Sequence, residues 1–169
     1  MMKAKILVTG AFNAGKTTFI RSISEIDTVY TDKKMLETDE LTTVAMDFGR
    51  ITIDQDISLY LFGTPGQERF DFMWEILRED IIGFVLLVDS TMPDLDATVR
   101  ILKFLSKESD IPFVVACTKQ DQENALPLER VQKTLHLDDV PVLPCVATDR
   151  ESVKDVLLAL LHQILERVS

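Results

Sequence analysis

An α/β fold, with a mostly parallel sheet covered by helices on both faces, is predicted by three features of this chain. Short apolar runs alternate with longer amphipathic ones along its length, the pattern of strands joined by crossover helices. Some of those runs, such as Phe84-Val85-Leu86-Leu87-Val88, are apolar at every position, as strands buried on both sides are. And the first run, Ile6-Leu7-Val8, passes through a glycine-bounded loop directly into a helix-like stretch.

The elements follow in order. A strand over Lys5–Thr9 leads through the loop into a helix over Gly15–Glu25. The next stretch, Ile26 to Thr43, is polar and aperiodic over about 18 residues, long for a connection in a compact domain unless it is functional or mobile. Strands over Arg50–Asp54 and Ile57–Phe62 flank Asp54-Gln55-Asp56, which reads as a hairpin turn and makes this pair antiparallel. A helix over Gln67–Asp80, a strand over Gly83–Asp89 and a helix over Leu95–Ser109 come next. A strand over Phe113–Thr118, a helix over Pro127–Leu135 and a strand over Val140–Leu143 complete the alternation. The last helix, Ser152–Val168, carries apolar residues at Val153, Val156, Leu157, Leu160, Leu161, Ile164, Leu165 and Val168, a 3.6-residue stripe facing a core. No repeat, linker or low-complexity segment interrupts residues 1–169, so one domain is expected.

Bulk properties exclude several classes. Eighteen basic against 28 acidic residues leave a net charge of −10, which argues against a nucleic-acid-binding surface. Cys117 and Cys145 lie in or beside apolar strand-like runs and read as reduced core residues of a cytoplasmic protein. No C-x-x-C spacing or histidine pair suggests zinc. No apolar run approaches the ~20 residues that span a bilayer, and neither end carries a lipidation signal, so no direct membrane anchor is expected.

The chemistry begins at Gly10 to Thr17, which read Gly-Ala-Phe-Asn-Ala-Gly-Lys-Thr, a complete G-x-x-x-x-G-K-[ST] loop in its strand–loop–helix setting. Backbone N–H groups there surround phosphates, Lys16 adds positive charge at the β and γ oxygens, and the Thr17 hydroxyl is placed to ligate Mg²⁺. A phosphate loop alone does not separate kinases, ATPases and GTPases. Four later segments bear on that choice. Thr42-Thr43, about 26 residues on, could close onto Mg²⁺ and a γ-phosphate, or simply lead into an edge strand. In Gly63-Thr64-Pro65-Gly66-Gln67-Glu68, Gly66 can offer its N–H to a γ-phosphate oxygen and Gln67 can orient an attacking water. In Thr118-Lys119-Gln120-Asp121, the Asp121 carboxylate can accept two hydrogen bonds from guanine N1–H and its 2-amino group, which adenine cannot donate together. The Lys119 stem can pack on the base. In Cys145-Val146-Ala147-Thr148, the Ala147 N–H could reach guanine O6.

In order and spacing these segments resemble the Ras-superfamily small GTPases over nearly the whole chain. The run Thr-Thr-Val-Ala-Met-Asp-Phe-Gly-Arg with Phe-Gly-Thr-Pro-Gly-Gln-Glu is similar to the prokaryotic branch, the bacterial cell-polarity (MglA-like) GTPases, many of which work with roadblock-domain proteins. The resemblance implies a three-layer P-loop NTPase fold, the small G domain, with a six-stranded mostly parallel sheet, one antiparallel edge strand and five helices. It implies Mg²⁺-dependent binding of GTP and GDP, slow hydrolysis of GTP, and protein effectors and regulators. It implies switch segments near Thr31–Asp47 and Gly63–Glu79. The implied nucleotide contacts are Gly10, Asn13, Ala14, Gly15, Lys16, Thr17, Thr18, Thr43, Gly66, Thr118, Lys119, Asp121, Val146, Ala147 and Thr148. Thr17 and Thr43 are the implied metal ligands, and Gln67 and Lys16 the catalytic residues.

Three departures stand out. Gly63 replaces an Asp that holds Mg²⁺ mostly through water, which should weaken the metal site without abolishing it. Phe12 replaces a residue that is often glycine and would crowd an inserted arginine finger. Thr118 replaces the usual Asn but keeps a hydroxyl for the phosphate-loop backbone. Arg69 could serve as a finger or as a partner contact. Trp74, among Phe70, Phe72 and Met73, suggests a partly exposed apolar patch on the second switch. The turn Asp89-Ser90-Thr91 reads as structural. Gly63 and Phe12 keep open a scaffold that binds nucleotide and hardly hydrolyses it. A small P-loop kinase is the other alternative, but there is no Arg-rich lid and Asp121 would have no role in one.

Overall fold

The computed structural model describes residues 2–11, 14–26, 47–64, 75, 80–108 and 110–168. It contains β1 (Met2–Gly10), α1 (Lys16–Ile23), β2 (Asp47–Asp54), β3 (Ile57–Gly63), β4 (Ile81–Asp89), α2 (Asp96–Glu108), β5 (Phe113–Thr118), α3 (Leu128–Thr134), β6 (Val142–Cys145) and α4 (Arg150–Val168). The expected helix over Gln67–Asp80 and the two switch segments lie largely outside the described residues. So the described residues hold four of the five expected helices.

The six strands form one sheet in the order β2-β3-β1-β4-β5-β6. The β2–β3 pair is antiparallel across the turn at Gln55-Asp56, and the remaining neighbours are parallel. This order makes β1 and β4 central, and all of Gly83 to Asp89 is buried. Successive side chains go to opposite faces of a strand, which divides the core in two. Leu7, Phe84, Leu86, Val88, Val115 and Cys117 pack with Leu102 and Leu105 of α2 and Val131 of α3. Ile6, Val8, Val85, Leu87, Val114 and Ala116 pack with Phe19 and Ile20 of α1 and Val153, Val156 and Leu160 of α4. Three layers result, with helices on both faces.

Boundaries shift where packing rather than pattern decides. β6 begins at Val142, not Val140, and runs on through Pro144 to Cys145. A proline is tolerated there because β6 is an edge strand, where one side of the backbone need not donate to a ladder. The α4 stripe is narrower than expected. Val153, Val156, Leu157 and Leu160 are buried and Ile164 still packs on the core, but Leu165 is 63% exposed. At the other edge, Glu25 and Ser24 cover the open side of β2. Thr52 N and Oγ1 donate to the Glu25 carboxylate at 2.7 and 2.9 Å, and Arg50 N donates to Ser24 Oγ at 3.1 Å. Such caps blunt an edge that would otherwise pair with another chain.

Candidate functional site

The carboxyl ends of β1, β4 and β5 lie side by side, because Gly10 is in register with Leu87 and Asp89 with Thr118. In open parallel sheets this edge is where ligands bind. The loop from β1 into α1 starts at Gly10, whose φ is 154°. A Cβ there would stand 2.5 Å from the carbonyl oxygen of Leu87, so the central strand admits only glycine. Gly15 ends the loop with φ 103° and serves as the N-cap of α1 without any side-chain cap. No acidic residue occupies the first turn of α1. Its first N–H groups therefore face the loop with their partial positive charge uncompensated, the arrangement that binds phosphate.

Lys16 Nζ folds over this loop and donates to Gly10 O at 2.9 Å. Burial holds its ammonium below the usual lysine range, and the Asp47 carboxylate opposes that shift. The Thr17 hydroxyl donates to Asp47 Oδ2 at 2.6 Å. Among the described residues, no three His, Cys, Asp or Glu side chains gather as a metal cluster. Mg²⁺ takes hard oxygen ligands and is held by one or two protein groups plus substrate phosphates. The hydroxyl and carboxylate oxygens beside Lys16 fit such an ion.

A second loop joins the first. Thr118 Oγ1, at the end of β5, bonds Ala14 O at 3.0 Å and Val88 O at 3.2 Å. The end of β5 is thus tied directly to the loop between β1 and α1. Lys119, with φ 61°, sends Nζ to Asp89 Oδ2 at 2.7 Å. Asp89 also accepts from Thr91 N at 2.9 Å and Thr91 Oγ1 at 2.6 Å. Burial pushes this carboxyl up, but the bonds from Lys119 and Thr91 outweigh it and hold its pKa below the ordinary 3.8. Asp121 is exposed on the turn that follows.

A third loop closes the group. The Ala147 Cβ lies 3.7 Å from where a Gly15 Cβ would stand, and Ser22 Oγ donates to Ala147 O. The Val146 N–H is engaged by Ser152 Oγ at 2.8 Å, and Thr148 and Thr18 are exposed. The fold therefore brings together Gly10, Ala14, Gly15, Lys16, Thr17, Thr118, Lys119 and Ala147. Asn13, Thr43, Gly66 and Gln67 lie outside the described residues, as do Phe12, Arg69, Phe70, Phe72, Met73 and Trp74. Sequence reasoning missed two acids here, Asp89 as the anchor of Lys119 and Asp47 as the acceptor of Thr17. Neither has a local signal, since each partner is 30 residues away.

Both thiols belong to the core instead. Cys117 and Cys145 are buried and free, and burial pushes them up to about 12 and about 11. Among the described residues, no helix is long and apolar enough to cross a membrane.

Several known proteins are similar to this chain. The model of a family described as "conserved hypothetical ATP binding protein" matches residues 27–167. An uncharacterized protein of Methanocaldococcus jannaschii is 31% identical over 119 residues, covering 70% of this chain and 71% of its own. The mutual gliding-motility protein MglA of Myxococcus xanthus is 25% identical, with 97% of this chain and 91% of that protein covered. ADP-ribosylation factor-like protein 3 of Saccharomyces cerevisiae is 26% identical, with 90% and 81% covered.

Proposed function

As this chain belongs to the family of conserved hypothetical ATP binding proteins and, with its MglA-like and ADP-ribosylation-factor-like relatives, to the Ras superfamily of small GTPases, we propose that it is a guanine-nucleotide switch. It binds GTP or GDP with Mg²⁺, hydrolyses GTP slowly, and signals through the two segments on either side of the hairpin. Residues 1–169 act as one small G domain. The observation that carries this reading is the Thr118 hydroxyl on Ala14 O. It couples the segment bearing Asp121 to the loop that takes the phosphates, so base and phosphate are read by one rigid unit.

In this reading the N–H groups of the loop and of the first turn of α1 hold the phosphates. Lys16 leaves the Gly10 carbonyl to pair with the β and γ oxygens. Thr17, joined by Thr43, holds Mg²⁺, which when bound neutralises phosphate charge. Gln67 orients the attacking water. Little covalent chemistry is asked of the protein, and positioning and charge stabilisation do most of the work. Asp121 accepts from guanine, and Ala147 offers its N–H to the base. A second protein, of which a roadblock-domain protein is the candidate implied by the resemblance, reads or accelerates the switch in the cytoplasm.

The family's description names ATP, which favours a second reading in which adenine occupies the same cleft. Adenine would leave the Asp121 carboxylate without its two donors, and a carboxylate stripped of water and left unpaired costs affinity. Competition decides. A bound fluorescent GDP analogue is displaced by GTP, GDP or ATP with Mg²⁺ present. Displacement by guanine nucleotides at concentrations about a hundredfold or more below those of ATP is expected, a gap of about 2.7 kcal/mol. Equal displacement by ATP would sink the guanine reading. Phosphate release from GTP in the same preparation tests hydrolysis.

A further inference from the structure

Strand register sets three side chains of one sheet face in a row, with Lys5 of β1 beside Tyr60 of β3 and Tyr60 beside Arg50 of β2. The row above it, Leu7, Phe62 and Phe48, belongs to the core, and Lys3 stands in the row below, opposite Ser58. The Arg50 backbone N–H donates to Ser24 Oγ and its carbonyl accepts from Glu25 N, so its backbone groups turn away from β3. That makes Arg50 and Tyr60 a non-hydrogen-bonded pair, the arrangement that brings opposed side chains closest. The Tyr60 ring meets Phe48 edge-on at 5.6 Å. Lys3 Nζ lies 5.7 Å from the same ring's centroid, within cation–π range. Lys3 is exposed, and Lys5, Tyr60 and Arg50 are half-buried.

In a chain of net charge −10, three cations gathered around one aromatic ring are a local reversal of sign. The acids beside them do not cancel it. Lys5 meets Asp80 at 3.5 Å through two partly exposed side chains, a contact of the weak kind. Glu25 is already engaged by Thr52 N and Oγ1. Arg50 Nε is buried and has no acceptor among the described residues, and an unmade bond to a buried donor is costly. We propose that this face of β1, β3 and β2 docks an acidic segment of a partner protein, whose carboxylates pair with Arg50, Lys5 and Lys3 while its apolar side chains lie on Tyr60. A carboxylate meets a guanidinium as a fork, through two parallel N–H···O bonds, and a small turn of the Arg50 head brings Nε into that pair. Arg beside Tyr is the composition of protein-interface centres. The net charge of the whole chain also repels a broad polyanion such as a membrane or a nucleic acid, while a narrow acidic segment meets only the reversed patch. Lys5 precedes Gly10 by five residues of β1, about 16 Å of strand. The surface therefore uses no residue of the nucleotide cleft and does not rest on the switch reading above.

The test is fluorescence anisotropy of a labelled peptide of Glu with interspersed Leu and Phe, titrated with the purified protein at about 0.15 M salt, where exposed charges more than about 8 Å apart are screened. The same peptide with Lys in place of every Glu is the control. Arg50→Gln should weaken binding of the acidic peptide by about tenfold or more, and Lys3→Glu, at an exposed position, by a similar factor. Lys133→Glu changes the net charge as Lys3→Glu does, but sits on α3 beside β6, at the opposite edge of the sheet. It should leave binding within about twofold of wild type. Thermal melting reports that each variant is folded, and Lys3→Glu decides alone should Arg50→Gln not be. Failure of the wild type to bind the acidic peptide overturns the assignment, as does equal binding of the Lys peptide or an equal loss in Lys133→Glu. Unaltered affinity in the folded Arg50→Gln and Lys3→Glu variants places the peptide elsewhere on the chain and does the same. Phosphatidylserine vesicles or single-stranded DNA bound as tightly as the peptide, with the same loss in Arg50→Gln, make this a general anion site and also overturn it. None of these readouts needs bound nucleotide, so failure of the switch reading leaves the result standing.

Discussion

Replacing Thr118 by Val deletes one hydroxyl and almost no volume, so it isolates the bond between the two loops. Thr118 is 2% exposed and Ala14 is 1% exposed. The hydroxyl carries one proton for two acceptors, Ala14 O at 3.0 Å and Val88 O at 3.2 Å. The change therefore removes one net hydrogen bond, about 0.5–1.5 kcal/mol, and leaves a buried acceptor whose desolvation costs about 1–3 kcal/mol if nothing replaces it. Partial relaxation of the loop makes ~1–2.5 kcal/mol the expected loss. In a chain of this size that corresponds to a fall in Tm of about 3–8 °C. Urea unfolding should show a lower midpoint with an unchanged slope, because the area exposed on unfolding is the same. Release of bound GDP should accelerate by up to about tenfold, since each step of about 1.4 kcal/mol is a factor of ten. If Thr118→Val stays within about 0.5 kcal/mol of wild type, the scatter of neutral substitutions, and releases GDP at an unaltered rate, the coupling of base and phosphate loops through this hydroxyl is refuted.

Two further outcomes are expected. Gly10→Ala drives a Cβ to 2.5 Å from Leu87 O, a backbone atom of the central strand, and overpacking of this kind costs about 1–3 kcal/mol. Urea unfolding should register that loss together with failure to retain nucleotide, and a variant as stable as wild type would contradict the geometry. Asp89→Asn removes the charge that holds Lys119 at 2.7 Å and should cost about 1–2 kcal/mol at neutral pH, as bonds to a charged group do. The Asp89 pKa is depressed below 3.8 on folding, so its charged form stabilises above that pH and the contribution is lost as pH falls through the folded value. The gap between wild type and variant, read from unfolding midpoints, should hold from about pH 7 to about 5 and narrow in more acid solution. A gap that widens below pH 3.8 would show that another group is responsible.

Much of the architecture was legible in the chain because it rests on local chemistry. Phe113–Thr118 is a strand at the residues its apolar run marks, since continuous burial on two faces leaves no polar position to mistake. The hairpin at Gln55-Asp56 follows from alternation on either side of a polar turn. Gly10 and Gly15 stand out between β1 and α1 because a side chain would meet Leu87 O at the first and a φ of 103° at the second. Less was legible where the residues are ambiguous on their own. Leu165 continues an unbroken helical stripe yet is 63% exposed while its neighbour Ile164 packs on the core, because periodicity marks a face and cannot report how wide a strip of it is covered.

By itself, then, the sequence determined the six strands and the four helices of the described residues, consequences of residue spacing within a few turns of backbone. Only the tertiary structure decided which strands are neighbours and which acids face which partners. Asp47 meets Thr17, and Asp89 meets Lys119, because sheet register sets one strand end against another 30 residues away. A register shift of one residue would send each carboxylate to the opposite face of the sheet, and no local pattern in the chain encodes that choice. It is made by the packing of Phe19 and Ile20 on one side and Leu102 and Leu105 on the other.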